Sequence, residues 1–215
     1  MRPGVAGGLR PLRRAMLADP VLEVAPMLLG RRVVSGHGAD RVVARLVEVE
    51  AYDGSNDPAS HAFRGRTARN SVMFGPAGHA YVYFTYGMHF CLNVSTGPDG
   101  RASAVLLRAA EIVSGIDLAR ARRGAVSGRD LARGPARLCS ALGVDRALNG
   151  TDLCDMAGPI WLAAGPAVDP KRIRTGPRVG ISRAAERPWR FWIADEPAVS
   201  AYRPARQTRC SGEQV

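Results

Sequence analysis

Lysine is almost absent from this chain: of its 30 basic residues only Lys171 is a lysine, and the others are arginines. Catalysis through a Schiff base needs an amine, so that class of mechanism has almost no candidate here. The four cysteines are scattered and form no C-x-x-C pair, so neither a disulfide framework nor a zinc or iron–sulfur site is indicated. No apolar run reaches transmembrane length and residues 1–20 contain no apolar signal core, so we expect a cytoplasmic protein.

Acidic residues are also few. The chain has 19 of them, a formal net charge of +11 and a pI near 10.6. Because basic side chains neutralise phosphates, this balance predicts a polyanionic partner, DNA above all, bound with salt-sensitive affinity. The preference for Arg, Ala, Gly and Val is typical of a GC-rich genome, and we expect a bacterial protein associated with the nucleoid.

The length of 215 residues and a hydrophobic content of 46% predict one mixed α/β domain, since no repeat, low-complexity tract or linker divides the chain. We predict a basic, flexible arm or short helix over residues 1–19, the domain over 20–203 and a tail over 204–215. Helices are predicted over 22–29, 115–123 and 136–142, and strands over 31–34, 41–52, 104–110, 158–164 and 188–194. Residues 53–70 are predicted to form a long loop, which in a compact domain is usually functional.

Residues 81–92 hold three of the five tyrosines and form two β-rich runs around Tyr86-Gly87-Met88. Glycine makes a tight reversal cheap, so the segment predicts a hairpin with Tyr86 and Met88 at its tip. A tyrosine and a methionine on an exposed tip are typical of insertion into a partner, here DNA. The alternative is a core hairpin with a tyrosine at its corner.

Two glutamates and a tyrosine, Glu48, Glu50 and Tyr52, alternate along the strand predicted over 41–52 and therefore share one face. A solvated strand face is the usual interpretation of such a pattern. Glu50, however, lies at the predicted strand end beside the long loop, where catalytic carboxylates are often found. We therefore expect Glu50 to act as a general base toward water or to stabilise a cation.

His61 lies in the long loop, and no metal-binding spacing surrounds it, so we predict no metal site. A lone histidine is more often structural than catalytic. Beside Tyr52 and Tyr83, however, His61 could form one wall of an aromatic slot in which a planar base stacks. Arg108 follows an apolar run and needs an anionic partner, which could be Glu50, a DNA phosphate or both.

Seven motifs follow one another along the chain between Pro20 and Ser200. They are Glu48–Tyr52, Ala59–His61, Arg69–Phe74, Tyr81–Asn93, Leu106–Arg108, Gly134–Cys139 and Arg178–Gly180. In content and order they resemble the alkyladenine (3-methyladenine) DNA glycosylase family.

That resemblance implies a single α+β domain with a curved antiparallel β-sheet, flanking helices and a protruding hairpin that inserts into DNA. It implies a monofunctional glycosylase, without a cofactor, that flips damaged purines out of double-stranded DNA and hydrolyses the N-glycosidic bond. The damaged purines expected are 3-methyladenine, 7-methylguanine, hypoxanthine and ethenoadenine. We expect a monomer that does not bind membranes, and the sequence identifies no general acid for a neutral leaving base.

The resemblance also gives positions in the motifs a role. Glu50 would deprotonate the attacking water, and Arg108 would help to hold that water and the target's phosphate. The substrate-binding positions are Tyr52, His61 and Tyr83 as aromatic walls, Ala59 and His61 through their backbone, Leu106, and Asn93 as a gate against normal guanine. The DNA-binding positions are Tyr86 as the intercalating residue, Met88 and His89 at the hairpin, Arg137, and Lys171 as a phosphate contact.

Some features depart from that family. His89 stands where relatives carry tyrosine, Arg101 resembles an insertion, and the basic N-terminal arm has no clear counterpart. Two alternatives stay open: a non-catalytic binder of distorted nucleic acid in which Glu50 is structural, and a metal-dependent nuclease that uses Glu48 and Glu50.

Overall fold

The computed structural model describes residues 8–85 and 87–205, and in this part of the chain one antiparallel sheet is flanked by three α-helices. The strands are β1 (Arg32–Ser35), β2 (Val42–Tyr52), β3 (Ala80–Thr85), β4 (His89–Ser95), β5 (Ala104–Ser114), β6 (Ile160–Ala163), β7 (Ile173–Gly176) and β8 (Arg190–Ile193). The helices are α1 (Val21–Leu28), α2 (Ile116–Arg123) and α3 (Pro135–Leu142). The prediction of a single mixed domain built on a curled antiparallel sheet is confirmed.

The long strand β2 organises the sheet. The strand order is β3-β4-β5-β2-β1-β6, and β8 also pairs with β2 while β7 pairs with β8. Residues 42–45 of β2 pair with β1 and residues 48–50 pair with β8, so two short strands share one edge. Along its pairing with β5 the register shifts around residues 43–44 and 46–49. Because bulges bend a strand and increase its twist, these shifts explain why the sheet curls.

Helix α3 has the ends that the sequence predicts. Pro135 occupies its first turn, where the missing N–H of proline costs nothing, and Gly134 precedes it. At the other end Gly143 adopts a left-handed conformation with φ +69°, and its N–H donates to the carbonyl of Ser140. The helix packs against β4 and β5, and this packing fixes the position of Pro135 beside the site described below.

The main hydrophobic core lies between the sheet and helices α1 and α3. A second, smaller cluster joins the loop between β2 and β3 to the sheet; its buried members are Ala62, Met73, Tyr81, Ala102 and Ala104. That loop leaves β2 through Gly54, whose φ is +49° and at which a Cβ atom would lie 2.0 Å from the carbonyl oxygen of Ala102. Only glycine allows this close approach. The start of the loop is therefore fixed against Ala102, two residues before β5 begins.

Residues 10–17 belong to the folded domain and contain a short 3-10 helix over Arg14–Leu17, so of the two alternatives predicted for residues 1–19 the short helix fits this segment. Pro11 forms a bridge with Ala163 of β6, the N–H of Leu12 donates to the carbonyl of Leu162, and Leu17 is fully buried. The segment is folded because its leucines are covered and its backbone extends the edge of the sheet. Residues 1–7 and 206–215 lie outside the described part of the chain.

Most predicted elements are confirmed within a few residues, and β7, which falls in a basic stretch, was not predicted. The predicted hairpin forms from β3 and β4, with Thr85 opposite His89. Tyr86 lies outside the described residues, so its place at the tip stays a prediction. Within residues 8–85 and 87–205 no helix combines the length and hydropathy needed to cross a bilayer.

Candidate active site

A cavity of about 360 Å³ opens where β2 ends, beside β3, β4 and β5. Its lining residues come from the β2–β3 loop, the sheet, the start of α3 and the segment 179–181. They include Arg108 and all six predicted substrate-binding positions, which are Tyr52, Ala59, His61, Tyr83, Asn93 and Leu106. The structure therefore brings together residues that are distant in sequence.

The Glu50 side chain is 0% exposed and is held directly behind this cavity. The N–H of Val179 donates to its Oε1 atom at 2.7 Å, and the hydroxyl of Tyr52 donates to its Oε2 atom at 2.8 Å. The Arg108 Nη1 atom lies 3.4 Å from Oε1. A carboxylate with several donors and a basic neighbour is held in one orientation. Val179 was not predicted to be one of these partners.

Arg108 connects the two glutamates of β2. Its Nε atom donates to Glu48 Oε1 at 3.1 Å, while its Nη1 atom faces Glu50, and its side chain is 8% exposed at the cavity wall. Burial by itself lowers the pKa of Arg108, but the charges of Glu50 and Glu48 outweigh burial and leave this pKa raised. Arg108 is therefore a fixed cation, and its predicted pairing with Glu50 is present.

Glu48 is also fully buried, so the usual interpretation of such alternating glutamates, a solvated strand face, does not apply here. Besides Arg108, Glu48 accepts hydrogen bonds from Arg190 Nε at 2.7 Å and from the backbone N–H and hydroxyl of Ser200 at 2.7 and 2.9 Å. Strand β8 pairs with β2 along residues 48–50 and carries Arg190, a pairing that the alternation of residues in β2 does not reveal. Two guanidinium groups and the two donors of Ser200 therefore balance the negative charge of Glu48 inside the protein. Among the described residues no group of three His, Cys, Asp or Glu side chains could hold a metal ion.

Aromatic rings form one side of the cavity. The ring centroids of His61 and Tyr83 are 4.6 Å apart at an interplanar angle of 74°, and those of Tyr81 and Tyr83 are 5.5 Å apart. Burial and the charge of Glu50 raise the pKa of Tyr52 well above its usual value, so its hydroxyl stays protonated and continues to donate to Glu50. Burial also raises the pKa of Tyr83. These phenols are therefore neutral walls at physiological pH.

His61 is tied to the wall by a hydrogen bond of 2.9 Å between its Nδ1 atom and the Tyr81 hydroxyl. Burial, and next the positive charge of Arg69, lower the pKa of His61, so the imidazole is neutral at pH 7. The Arg69 guanidinium lies 5.4 Å from the centroid of the Tyr83 ring and also lines the cavity. Arg69 and Tyr81 both belong to the motifs shared with the glycosylase family, but neither residue was predicted to take part in the pocket.

Asn93 and Leu106 face each other on β4 and β5 at the floor of the cavity. The Asn93 side chain is buried, and its Nδ2 atom donates to the carbonyl of Tyr81 at 3.0 Å. This bond fixes the amide to the backbone of the neighbouring strand. Cys91, two residues earlier on β4, lines the cavity too, and burial raises the pKa of its thiol.

The residues predicted to contact DNA are more dispersed. At the hairpin Met88 is 68% exposed and His89 is also exposed. Arg137 lines a second cleft of about 430 Å³ that adjoins the first cavity through Arg108. Lys171 lies in a surface turn formed by residues 170–172, where its backbone N–H donates to Asp169, and it is not among the described residues that line either cleft.

A family model described as methylpurine-DNA glycosylase (MPG) matches residues 15–197. A relative from Streptomyces avermitilis is 58% identical over 196 residues, which cover 90% of this chain and 92% of the relative. One from Nocardia farcinica is 53% identical over 203 residues, with 92% of each chain covered.

A further relative, from Mycobacterium tuberculosis, is 50% identical over 200 residues and covers 90% of this chain and 95% of its own length. All three are provisionally named 3-methyladenine DNA glycosylases. The family model spans the cavity, the two glutamates of β2 and the segment around Val179. The chain therefore belongs to the methylpurine-DNA glycosylase family.

Proposed function

We propose that this protein is a monofunctional DNA glycosylase that hydrolyses the N-glycosidic bond of damaged purines in duplex DNA and so starts base excision repair. One observation carries the proposal: the buried carboxylate of Glu50, held by Val179 and Tyr52 beside Arg108, stands directly behind an aromatic cavity. The cavity volume of about 360 Å³ lies in the range of small-molecule sites. Its neutral aromatic walls suit a planar base that has been flipped out of the helix.

In the proposed reaction, a water molecule attacks C1′ of the flipped nucleotide and gives its proton to Glu50. The bond between C1′ and the base nitrogen breaks, and the base leaves with the electron pair. The sugar passes through an oxocarbenium-like state, as in glycoside hydrolysis, so the negative charge of Glu50 also stabilises the developing cation. Tyr52 and Val179 hold the carboxylate in place through both of its oxygen atoms.

The leaving base determines how much help it needs from the protein. A cationic base such as 3-methyladenine departs as a neutral molecule, whereas neutral hypoxanthine needs a proton. The lowered pKa of His61 makes this residue a poor proton donor at pH 7. We therefore expect cationic alkylated purines to be released faster than hypoxanthine at neutral pH.

Asn93 is proposed to exclude normal guanine, because its side chain is fixed to the carbonyl of Tyr81 at the floor of the cavity. An amide that cannot rotate away would clash with the 2-amino group of guanine, and discrimination would come from that clash. Hypoxanthine has no 2-amino group, so it would still enter.

Outside the cavity, contacts to the duplex are proposed for the hairpin and for basic side chains. Tyr86 would fill the space left by the flipped nucleotide, with Met88 and His89 against the minor groove. Arg137 and Lys171 would contact phosphates, as the net charge of +11 favours. The protein would act as a monomer, because a single cavity next to a basic cleft suffices for one lesion.

The decisive experiment is to incubate the protein with duplexes that contain 3-methyladenine, hypoxanthine or 1,N6-ethenoadenine and then treat them with hot alkali. Release of a base leaves an abasic site, which alkali converts to a strand break. We expect breaks only at the lesion, only after alkali and unaffected by EDTA. Breaks without alkali that EDTA abolishes would favour a metal-dependent nuclease, and binding without any breaks would favour the non-catalytic alternative.

A further inference from the structure

The buried ion pair of Asp57 and Arg178 lies next to the cavity without lining it. The Arg178 side chain is fully buried, and its Nη1 and Nη2 atoms donate to the two carboxylate oxygens of Asp57 at 2.5 and 2.8 Å. The Nη1 atom donates as well to the carbonyl of Ala51, at 2.9 Å. A planar guanidinium can make these contacts at once, and a lysine ammonium cannot.

Aromatic rings surround the same guanidinium. Its central carbon lies 4.7 Å from the ring centroid of Tyr52 and 5.1 Å from that of Trp189. Arg187 in turn lies 4.6 Å from the Trp189 ring and donates to the carbonyl of Asn56 at 2.8 Å, next to Asp57. The series Arg187, Trp189, Arg178, Tyr52 therefore runs from the surface to the wall of the cavity.

We propose that Arg178 and Asp57 are positioning residues that set the geometry of the Glu50 carboxylate, an inference that rests on the proposed function. Two of the three partners of Glu50 that line the cavity depend on this pair, the third being Arg108. Val179, whose N–H donates to Glu50, is the residue after Arg178, and the Tyr52 ring, whose hydroxyl donates to Glu50, lies against the guanidinium.

The pair also holds the loop that carries Ala59, which we expect to bind the base through its backbone. Asp57 Oδ1 accepts a hydrogen bond from the N–H of Ala59 at 3.1 Å, so one carboxylate joins Arg178 to this residue. Through Ala51, the guanidinium is joined to the end of β2 as well. One ion pair thus fixes three segments that approach the cavity from different parts of the chain.

This arrangement predicts a specific kinetic pattern. Loss of the pair should misplace Glu50 and Tyr52 by a fraction of an ångström to an ångström, and a misplacement of that size can lower a chemical rate about 100-fold. Binding to a duplex that carries a tetrahydrofuran abasic analogue should hardly change, since that duplex places no base in the cavity. A merely structural pair would instead affect stability and binding together.

The test compares Asp57→Asn, Arg178→Met and the double variant with the wild type in single-turnover excision of hypoxanthine. We expect each single variant to lose roughly 10- to 100-fold in rate. The double variant should lose no more than the worse single variant, because residues that act as a unit are not additive. Arg45→Met is the matched control: it removes an ion pair with Glu111 and Glu196 at 2.8 Å, remote from the cavity on the same strand β2, and should keep the wild-type rate.

The double variant keeps the proposal falsifiable if the single variants fail to fold, because it leaves no unpaired charge in the interior. The positioning role is overturned if the double variant has the wild-type rate. It is also overturned if the fold-loss in rate of the double variant equals the product of the fold-losses of the two single variants. If the wild type itself releases no damaged base, the proposed function fails and the inference fails with it. If the wild type is active and the double variant has the same rate, the inference is refuted and the proposed function stands.

Discussion

Replacing Glu50 by glutamine removes the proposed base and leaves almost all of the packing in place. The amide oxygen can still accept from the N–H of Val179, now 2.7 Å from Oε1, and the amide nitrogen can donate to the Tyr52 hydroxyl, which is free to rotate. Arg108 loses one carboxylate at 3.4 Å but keeps Glu48 at 3.1 Å. The variant should therefore fold with an intact cavity.

The size of the two effects can be worked out separately. The side chain loses two charge-assisted hydrogen bonds but replaces them with neutral ones, which should cost on the order of 1–3 kcal/mol in the free energy of unfolding. The loss of a general base should lower the excision rate by about 100-fold or more, which corresponds to roughly 2.7 kcal/mol of transition-state stabilisation. The two costs are similar in free energy, but a stability loss of this size leaves a typical domain folded, whereas the same free energy lowers the excision rate about 100-fold.

The assay is single-turnover excision from a hypoxanthine duplex with protein in excess, followed by hot alkali. Fluorescence anisotropy with the same duplex measures binding, which should stay within a few-fold of the wild type. Glu48→Gln is the control: it should lower the melting temperature more, because four donors converge on Glu48, and the rate less. Near-normal excision by Glu50→Gln would refute the assignment of the base.

Three further predictions concern selectivity, protonation and the absence of a catalytic amine. Asn93→Ser should release more normal guanine without a matching gain on hypoxanthine, measured as the ratio of the two rates; an unchanged ratio would place Asn93 in the scaffold. Arg69→Met should raise the pKa of His61 toward, but not to, about 6.5, because burial still lowers it; an NMR titration of the imidazole would show this. In the wild type, the contribution of His61 to stability is fully present above pH 6.5 and is lost as the pH falls through the lowered pKa of the folded protein. Borohydride should trap no covalent DNA adduct, whereas an adduct that disappears in Lys171→Ala would contradict a monofunctional enzyme.

The fold was predictable wherever one local signal decided the structure. Gly134-Pro135 and Gly143 mark both ends of α3, and the run around Gly87 predicts the β3–β4 hairpin. The strand predicted over residues 41–52 is confirmed as β2, but its two-residue period is typical of a strand with one solvated face. Both faces are buried, and Glu48 is contacted by the side chain of Arg190 and by Ser200, which lie more than 140 residues away in the sequence. Such a pairing leaves no trace in the local pattern.

In the candidate site, too, residues with a local signal were predictable and residues that meet only in the folded chain were not. Glu50, Arg108 and the aromatic walls could be named from motifs, since each lies in a short segment with a distinctive composition. The partners that hold them could not, because Val179, Arg178 and Asp57 reach Glu50 and Tyr52 only in the folded chain. Arg178 and Arg190 count toward the net charge of +11, yet both are buried and paired with carboxylates. Charge counted along a sequence does not separate internal ion pairs from surface available to DNA.

The burial of Glu48, Glu50, Arg108 and Arg190 has a consequence for how the protein should respond to ionic strength. Two carboxylates and two guanidinium groups balance one another in the interior, where mobile ions do not reach. Surface arginines, by contrast, meet phosphates in competition with salt. Added salt should therefore slow the search for a lesion and shorten the lifetime of the complex. Bond breaking in a nucleotide already seated in the cavity should proceed at a rate that the surrounding electrolyte does not alter.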